Sequence, residues 1–190
     1  MDFQAISGSF VLVAISEMGD KTQLLAFSLA TRYKKPLPIM GGIFLATVLN
    51  HALASSVGQW VSNRIPESLL EFILAATFIG FGIWTLKPDK LETDRDGPKL
   101  GAFLTTAVLF FLAEMGDKTQ LATVALAARY HSAVSVTIGT TAGMMLTDGL
   151  AVFLGEKLAG SARMKWIRRA AAALFIVFGV ISLIAGFLSL

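Results

Sequence analysis

The sequence predicts an all-α integral membrane protein: six transmembrane helices arranged as two inverted repeats of three. Three observations carry this. Apolar residues make up 55% of the chain and charged residues only 15%, where an ordinary soluble domain carries about 25% charged. Mean hydropathy is +0.69. Apolar stretches of the roughly 20 residues needed to cross a bilayer recur along the chain. The second half then repeats the first at a constant spacing of 97 residues.

The first predicted span is Phe3–Tyr33. It follows a Met-Asp-Phe-Gln opening with no basic segment, so it does not read as a secretory signal. The next two are Pro36–Ser62 and Ser68–Leu86, which close a first repeat over residues 1–86. Residues 87–99 (KPDKLETDRDGPK) form the one strongly hydrophilic stretch, with two prolines and dense charge, and read as an exposed linker. The second repeat, residues 100–190, holds spans Leu100–Tyr130, Val134–Leu158 and Ile167–Leu190. The first and fourth spans are longer than a bilayer requires, which predicts tilting or a break near Gly19 and Gly116. Trp60, Trp84 and Trp166 fall near span ends, as interfacial anchors do. Gly41, Gly42, Gly80, Gly82, Gly139, Gly143 and Gly179 read as sites of close helix packing.

Residues Glu17–Tyr33 match Glu114–Tyr130 at 12 of 17 positions without a gap. The same spacing pairs Gly42 with Gly139, Leu49 with Leu146, Gly58 with Gly155, Phe78-Ile79 with Phe175-Ile176 and Phe81-Gly82 with Phe178-Gly179. Three spans per half is an odd number, so the second half must enter the membrane from the opposite side, the architecture of many secondary transporters. Basic residues set the orientation. Leaving aside Lys21 and Lys118, the loops after spans one, three and five carry 12 Lys or Arg, and the opposite face carries Arg64 and Arg129. The positive-inside rule places both termini outside and the linker in the cytoplasm. The basic pI therefore reflects topology, and no nucleic-acid partner is expected; the partner is the lipid bilayer. Oligomeric state is open, a homodimer included.

The octapeptide EMGDKTQL occurs at Glu17–Leu24 and again at Glu114–Leu121, each time inside an apolar stretch. An ionisable group at bilayer centre costs roughly 2.5–3.5 kcal/mol on the mildest scales, so these groups are expected to work. On a continuous helix Glu17, Asp20 and Lys21 share one face, with Gln23 a turn further; Glu114, Asp117, Lys118 and Gln120 do the same. Facing spans of an inverted repeat meet near the midplane. That predicts four converging carboxylates, Glu17, Asp20, Glu114 and Asp117, with Thr22, Thr119, Gln23 and Gln120 as nearby oxygen donors. Such a cluster needs positive charge, from Lys21, Lys118, a cation or protons. Oxygen ligands favour hard cations such as Ca²⁺, Mg²⁺ or Mn²⁺, and the chain has no cysteine for a thiolate site. Metal and protons would occupy one site in turn. Gly19 and Gly116 would break the helix and free backbone carbonyls. The structural alternative is that Glu17–Lys21 and Glu114–Lys118 are intrahelical ion pairs that only lock packing.

Asn50 and His51 correspond at the same spacing to Thr147 and Asp148, also at mid-span. His51 facing Asp148 would suit a proton relay or a completed coordination shell, or an interhelical hydrogen bond. Gln59 and Glu156 read as interfacial, Glu67 and Glu71 as residues of a helix start, and His131 as solvated.

The two copies, Glu17-Met18-Gly19-Asp20-Lys21-Thr22 and Glu114-Met115-Gly116-Asp117-Lys118-Thr119, resemble the duplicated E-x-G-D-[KR]-[TS] hallmark of the Gdt1-like family, without departure. The resemblance covers the whole chain. It implies a cation transporter for Mn²⁺, with Ca²⁺ as well in eukaryotic members, exchanging against protons, and an exporter of the inner membrane in compact bacterial members. It also implies that Glu17, Asp20, Glu114 and Asp117 are the metal ligands. The metal is cargo, and no resident cofactor is expected. No nucleophile–base constellation or phosphate loop suggests an enzyme. Competing readings are an exporter of small organic cations or amino acids, a passive cation channel, and a structural membrane protein.

Overall fold

The computed structural model describes residues 1–87, 100–154 and 161–189, without the side chains of 161–165. Residues 88–99 of the predicted linker, Gly155, Glu156 and the end of the fifth predicted span lie outside the described residues. Eight helices follow in order: α1 Phe3–Glu17, α2 Lys21–Tyr33, α3 Pro36–Ser62, α4 Glu67–Thr85, α5 Gly101–Glu114, α6 Lys118–Tyr130, α7 Ala133–Leu154 and α8 Ser161–Leu188. No strand occurs among the described residues.

Local sequence explains the boundaries. Asp2 caps α1, its Oδ1 accepting from the Gln4 and Ala5 amides at 2.9 and 3.3 Å. Pro36 opens α3, where a missing N–H costs nothing. Both α2 and α6 end on a left-handed residue, Lys34 (φ 51°) and His131 (φ 49°), which are 97 positions apart. Part of α3, α4 and α7, and of α8 over Trp166–Leu188, is long and apolar enough to cross a membrane; α1 and α5 are apolar but shorter. The first and fourth predicted spans are therefore each two helices. The sixth predicted span matches the apolar part of α8, Trp166–Leu188, and the helix itself begins earlier, at Ser161.

Packing repeats when the halves are exchanged. α1 lies on α7 as α5 lies on α3, α2 on α7 as α6 on α3, while α3 meets α7 and α4 meets α8. The closest approaches follow the same rule. A Cβ on Gly42 would sit 2.5 Å from the Phe103 carbonyl oxygen, and one on Gly139 would sit 2.4 Å from that of Ile6. Helices that approach this closely gain dispersion contacts, the main attraction available in lipid. Gly82 and Gly179 likewise face Ile176 and Ile79 across the α4–α8 contact. Gly80 does not belong with these: nothing lies within 4 Å of a Cβ there, because it points away from both neighbouring helices.

Beside an apolar core, the bundle buries many polar groups and exposes many large apolar ones. Phe44, Leu45, Leu49, Leu53 and Val57 of α3 point outward, while Thr47, Asn50, His51 and Ser55 of the same helix are buried. Glu17, Glu114 and Asp148 are wholly buried too. An apolar exterior around a polar interior is what a lipid solvent selects. Trp60, Trp84 and Trp166 are exposed, with Arg64 4.0 Å from the Trp60 ring and Arg169 5.0 Å from that of Trp166.

Gly42→Leu and Gly139→Leu should each lower stability in detergent by roughly 1–3 kcal/mol through overpacking. Gly80→Ala should be neutral or slightly stabilising, by up to about 1 kcal/mol from helix propensity. Thermal unfolding of the purified protein compares the three.

Candidate cation site

Each octapeptide is folded as a break, and both breaks have the same backbone. Met18 (φ −63°, ψ 112°) and Gly19 (φ 80°) form a reverse turn closed by the Asp20 amide donating to the Glu17 carbonyl at 3.1 Å. Met115 (φ −61°, ψ 120°) and Gly116 (φ 74°) repeat it, with Asp117 donating to Glu114 at 3.1 Å. This is a type II turn, whose third position needs positive φ and hence glycine. α1 and α5 thus present their negative, carbonyl ends beside the acids, and α2 and α6 start anew from Asp20 and Asp117.

The turn overturns the shared helical face. With the helix interrupted between Glu17 and Lys21, and likewise between Glu114 and Lys118, the continuous i, i+4 face is lost, and each lysine reaches the opposite half. Lys21 Nζ lies 3.2 Å from Asp117 Oδ1, and Lys118 Nζ lies 3.0 Å from Asp20 Oδ2. The intrahelical ion-pair reading is replaced by two crossed pairs.

The acids come together in part. Glu17, Asp20 and Asp117 each offer an oxygen within 4.8 Å of the others, all three buried. Both threonine hydroxyls serve one carboxylate: Thr22 Oγ1 donates to Glu17 Oε2 at 2.8 Å, and Thr119 Oγ1 donates to Glu17 Oε1. Glu114 is not in that group of three. Its two oxygens have no hydrogen-bond partner among the described residues, and the charges of Glu17, Asp117, Asp148 and Asp20 bear on it.

The glutamines hold the turns in place. Gln23 Oε1 accepts from the Gly19 amide and Gln120 Oε1 from that of Gly116, both at 2.8 Å. Gln23 Nε2 donates to the Thr147 carbonyl at 3.0 Å, and Gln120 Nε2 lies 3.5 Å from Asn50 Oδ1. Asn50 Nδ2 in turn donates to the Phe111 carbonyl at 3.2 Å. Each turn is therefore strapped to α7 or α3 of the other half, a positioning role that identical residue types at the site could not reveal in the sequence. His51 and Asp148 are wholly buried, yet neither ring nitrogen and neither carboxylate oxygen has a hydrogen-bond partner among the described residues. A direct His51–Asp148 hydrogen bond is not formed.

Fold and site together define a class: a multi-pass helical membrane protein with acids and bases gathered in its interior. The chain belongs to the GDT1 family, matching the family described as "Divalent cation/proton antiporter GDT1" over residues 5–93 and 102–189. It is 42% identical over 173 residues, 90% of this chain and 86% of the relative, to a Vibrio cholerae serotype O1 protein named "Putative manganese exporter". It is 30% identical over 203 residues to a GDT1-like protein of Synechocystis (94% and 96% covered), and 28% identical over 220 residues to GDT1-like protein 5 of Arabidopsis thaliana (95% and 96% covered). No solved structure matches the chain. The family is one of transporters for divalent cations.

The crossed geometry has a direct readout. In double-mutant cycles on unfolding, Lys118→Ala with Asp20→Asn should show a coupling of about 0.5–3 kcal/mol, as contacting residues do. Lys118→Ala with Glu114→Gln, the pairing a continuous helix would make, should couple more weakly.

Proposed function

We propose that this chain exports a hard divalent cation, Mn²⁺ in the first place and Ca²⁺ in the second, in exchange for protons. The site is shared by two inverted three-span repeats, residues 1–86 and 100–190, joined by a cytoplasmic linker, with both termini outside an inner membrane. In this reading α1 with α2 and α5 with α6 are each one broken span. The observation that carries it is the meeting of Glu17, Asp20 and Asp117 oxygens, drawn from both halves, within 4.8 Å.

Chemistry supports the cargo. Carboxylate and hydroxyl oxygens suit Mn²⁺ and Ca²⁺. The two motifs hold four acids and two lysines, so their fully ionised forms leave two net negative charges, which one divalent cation or two protons would balance. Glu17, Asp20 and Asp117 would hold the metal. Glu114, Asp148 and His51 are buried with no side-chain hydrogen-bond partner among the described residues and supply polar groups for protons or for completing the shell. When metal arrives, Lys21 and Lys118 give up their aspartates; when it leaves, they return. Alternation of one site between metal and protons follows, because ligands must be deprotonated to bind metal. The manganese named in the Vibrio relative points to Mn²⁺ and to export. Moving a divalent cation out against an inside-negative potential costs about 4.6 kcal/mol per 100 mV, from roughly 2.3 per charge, and two entering protons cancel that term. The tightly tied cluster leaves little room for an organic cation.

Uptake of Mn²⁺ and Ca²⁺ into everted vesicles tests this. Glu17→Gln should abolish metal flux, and collapsing the pH gradient should stop it in the parent protein. Flux indifferent to the gradient would exclude proton exchange. Thr119→Val, which removes a hydroxyl that holds Glu17, should weaken apparent metal affinity about 10–100-fold. Affinity should also fall as pH is lowered, because protons then compete for the same oxygens.

A further inference from the structure

We propose that Arg129, Glu71 and Ser182 form a latch that shuts one end of the bundle, and that Arg32 and Thr85 are its counterpart at the other end, made when the first is broken. This rests on the reading above, in which a site between the halves is served from both ends in turn.

Arg129 lies at the end of α6. Its Nη1 is 3.4 Å from Glu71 Oε2 on α4, and it donates to Ser182 Oγ on α8. Its guanidinium carbon also lies 5.9 Å from the centre of the Phe178 ring. One side chain of a helix that starts at the site thus ties down both members of the α4–α8 pair. Displacement by 97 residues gives the equivalents: Arg32 for Arg129, Thr85 for Ser182, Phe81 for Phe178 and Arg168 for Glu71. The Arg32–Thr85 contact of that second set is not made. Thr85 is buried with no partner for its hydroxyl, while Arg32 is exposed and lies over Tyr33. A buried hydroxyl without a partner is unfavourable and marks a place kept for one.

Two further observations agree. The apolar cluster that includes Leu126 of α6 takes Leu70, Leu74 and Phe78 from α4 and Phe175 from α8, and reaches along α4 to Phe81. The cluster at the Arg32 end is built from α2, α3, α5 and α7, with no described residue of α4 or α8. Exposure follows suit. Ala125 and Ala128 of α6 are 4% and 3% exposed, but their equivalents on α2, Ser28 and Thr31, are exposed. The Lys118 side chain is 5% exposed and that of Lys21 is 27%. A symmetric scaffold is thus closed at one end and open at the other. Residue identity sets the bias. The Arg129 latch has a carboxylate, whereas the Arg32 latch would bring a second arginine, Arg168, into that place. The resting state is the one with the Arg129 end shut, the end that the basic-residue count puts outside.

The chain has no cysteine, so single cysteines report access cleanly. Ser28→Cys and Ala125→Cys, reconstituted in vesicles, would be treated with a water-soluble maleimide. Ser28→Cys should react readily and Ala125→Cys slowly. Adding Arg129→Gln or Ser182→Ala should speed Ala125→Cys labelling about tenfold, the order expected for losing a hydrogen bond to a charged group, with Mn²⁺ binding in detergent unchanged. Arg129→Lys, which keeps a cation opposite Glu71, should label more slowly than Arg129→Gln. Thr85→Ala should leave resting labelling as it is and slow Mn²⁺ flux. Unaltered Ala125→Cys labelling in both latch variants overturns the latch, and unaltered flux in Thr85→Ala overturns its counterpart. Mn²⁺ binding that survives Glu17→Gln would instead sink the carboxylate site, leaving the labelling results to judge the latch alone.

Discussion

Ionised groups in hydrocarbon are tolerated only when other charges or dipoles meet them, and the crossed pairs Lys21–Asp117 and Lys118–Asp20 are how this chain meets that condition. Much else in the fold follows. Each pair needs a residue from both halves, so the halves must face each other. For the lysines to cross, the helices must stop and restart, which the glycine turns allow. For the turns to stay in register, Gln23 and Gln120 strap them to α7 and α3. Close approach at Gly42 and Gly139 then brings α3 against α5 and α7 against α1. Polar groups collect within, beside the buried apolar clusters, and many further large apolar side chains face outward.

Identical octapeptides sit in unlike surroundings. Glu17 receives both threonine hydroxyls, and Glu114 receives neither. The difference cannot come from the motif itself. It arises from what has drifted around it, such as Asn50 and His51 against Thr147 and Asp148, and from the unequal closure of the two ends. A transporter built from equal halves needs such a difference at any instant, since a site open equally to both sides would leak.

The large features are legible in the sequence. The range Pro36–Ser62 is fixed by a proline at its start and an unbroken apolar run, and the structure has that same helix. The spacing of 97 residues pairs Gly82 with Gly179, and each faces an isoleucine of the other helix, Ile176 and Ile79. The break at Gly19 and Gly116 is foreshadowed by spans that are too long. Pairing between the halves is not legible, because lysine four residues after glutamate looks like a local helical pair until the helix is known to stop. The isolation of Glu114 from the group of three is hidden for a similar reason: two copies of one motif give no sign of which will hold which partner. Gly80 misleads because small size alone does not say which way a helix face points.

The crossing also bears on how the protein is made. Asp20 is joined to the chain long before Lys118, which is added 98 positions later. Throughout that interval the first half carries two acids and one base with no opposite number. Its broken span cannot settle in lipid as a finished unit and must remain beside water or the insertion machinery until the second half arrives. Assembly of the interior is therefore a late event, and a chain truncated after its first half would be left with charges it cannot bury.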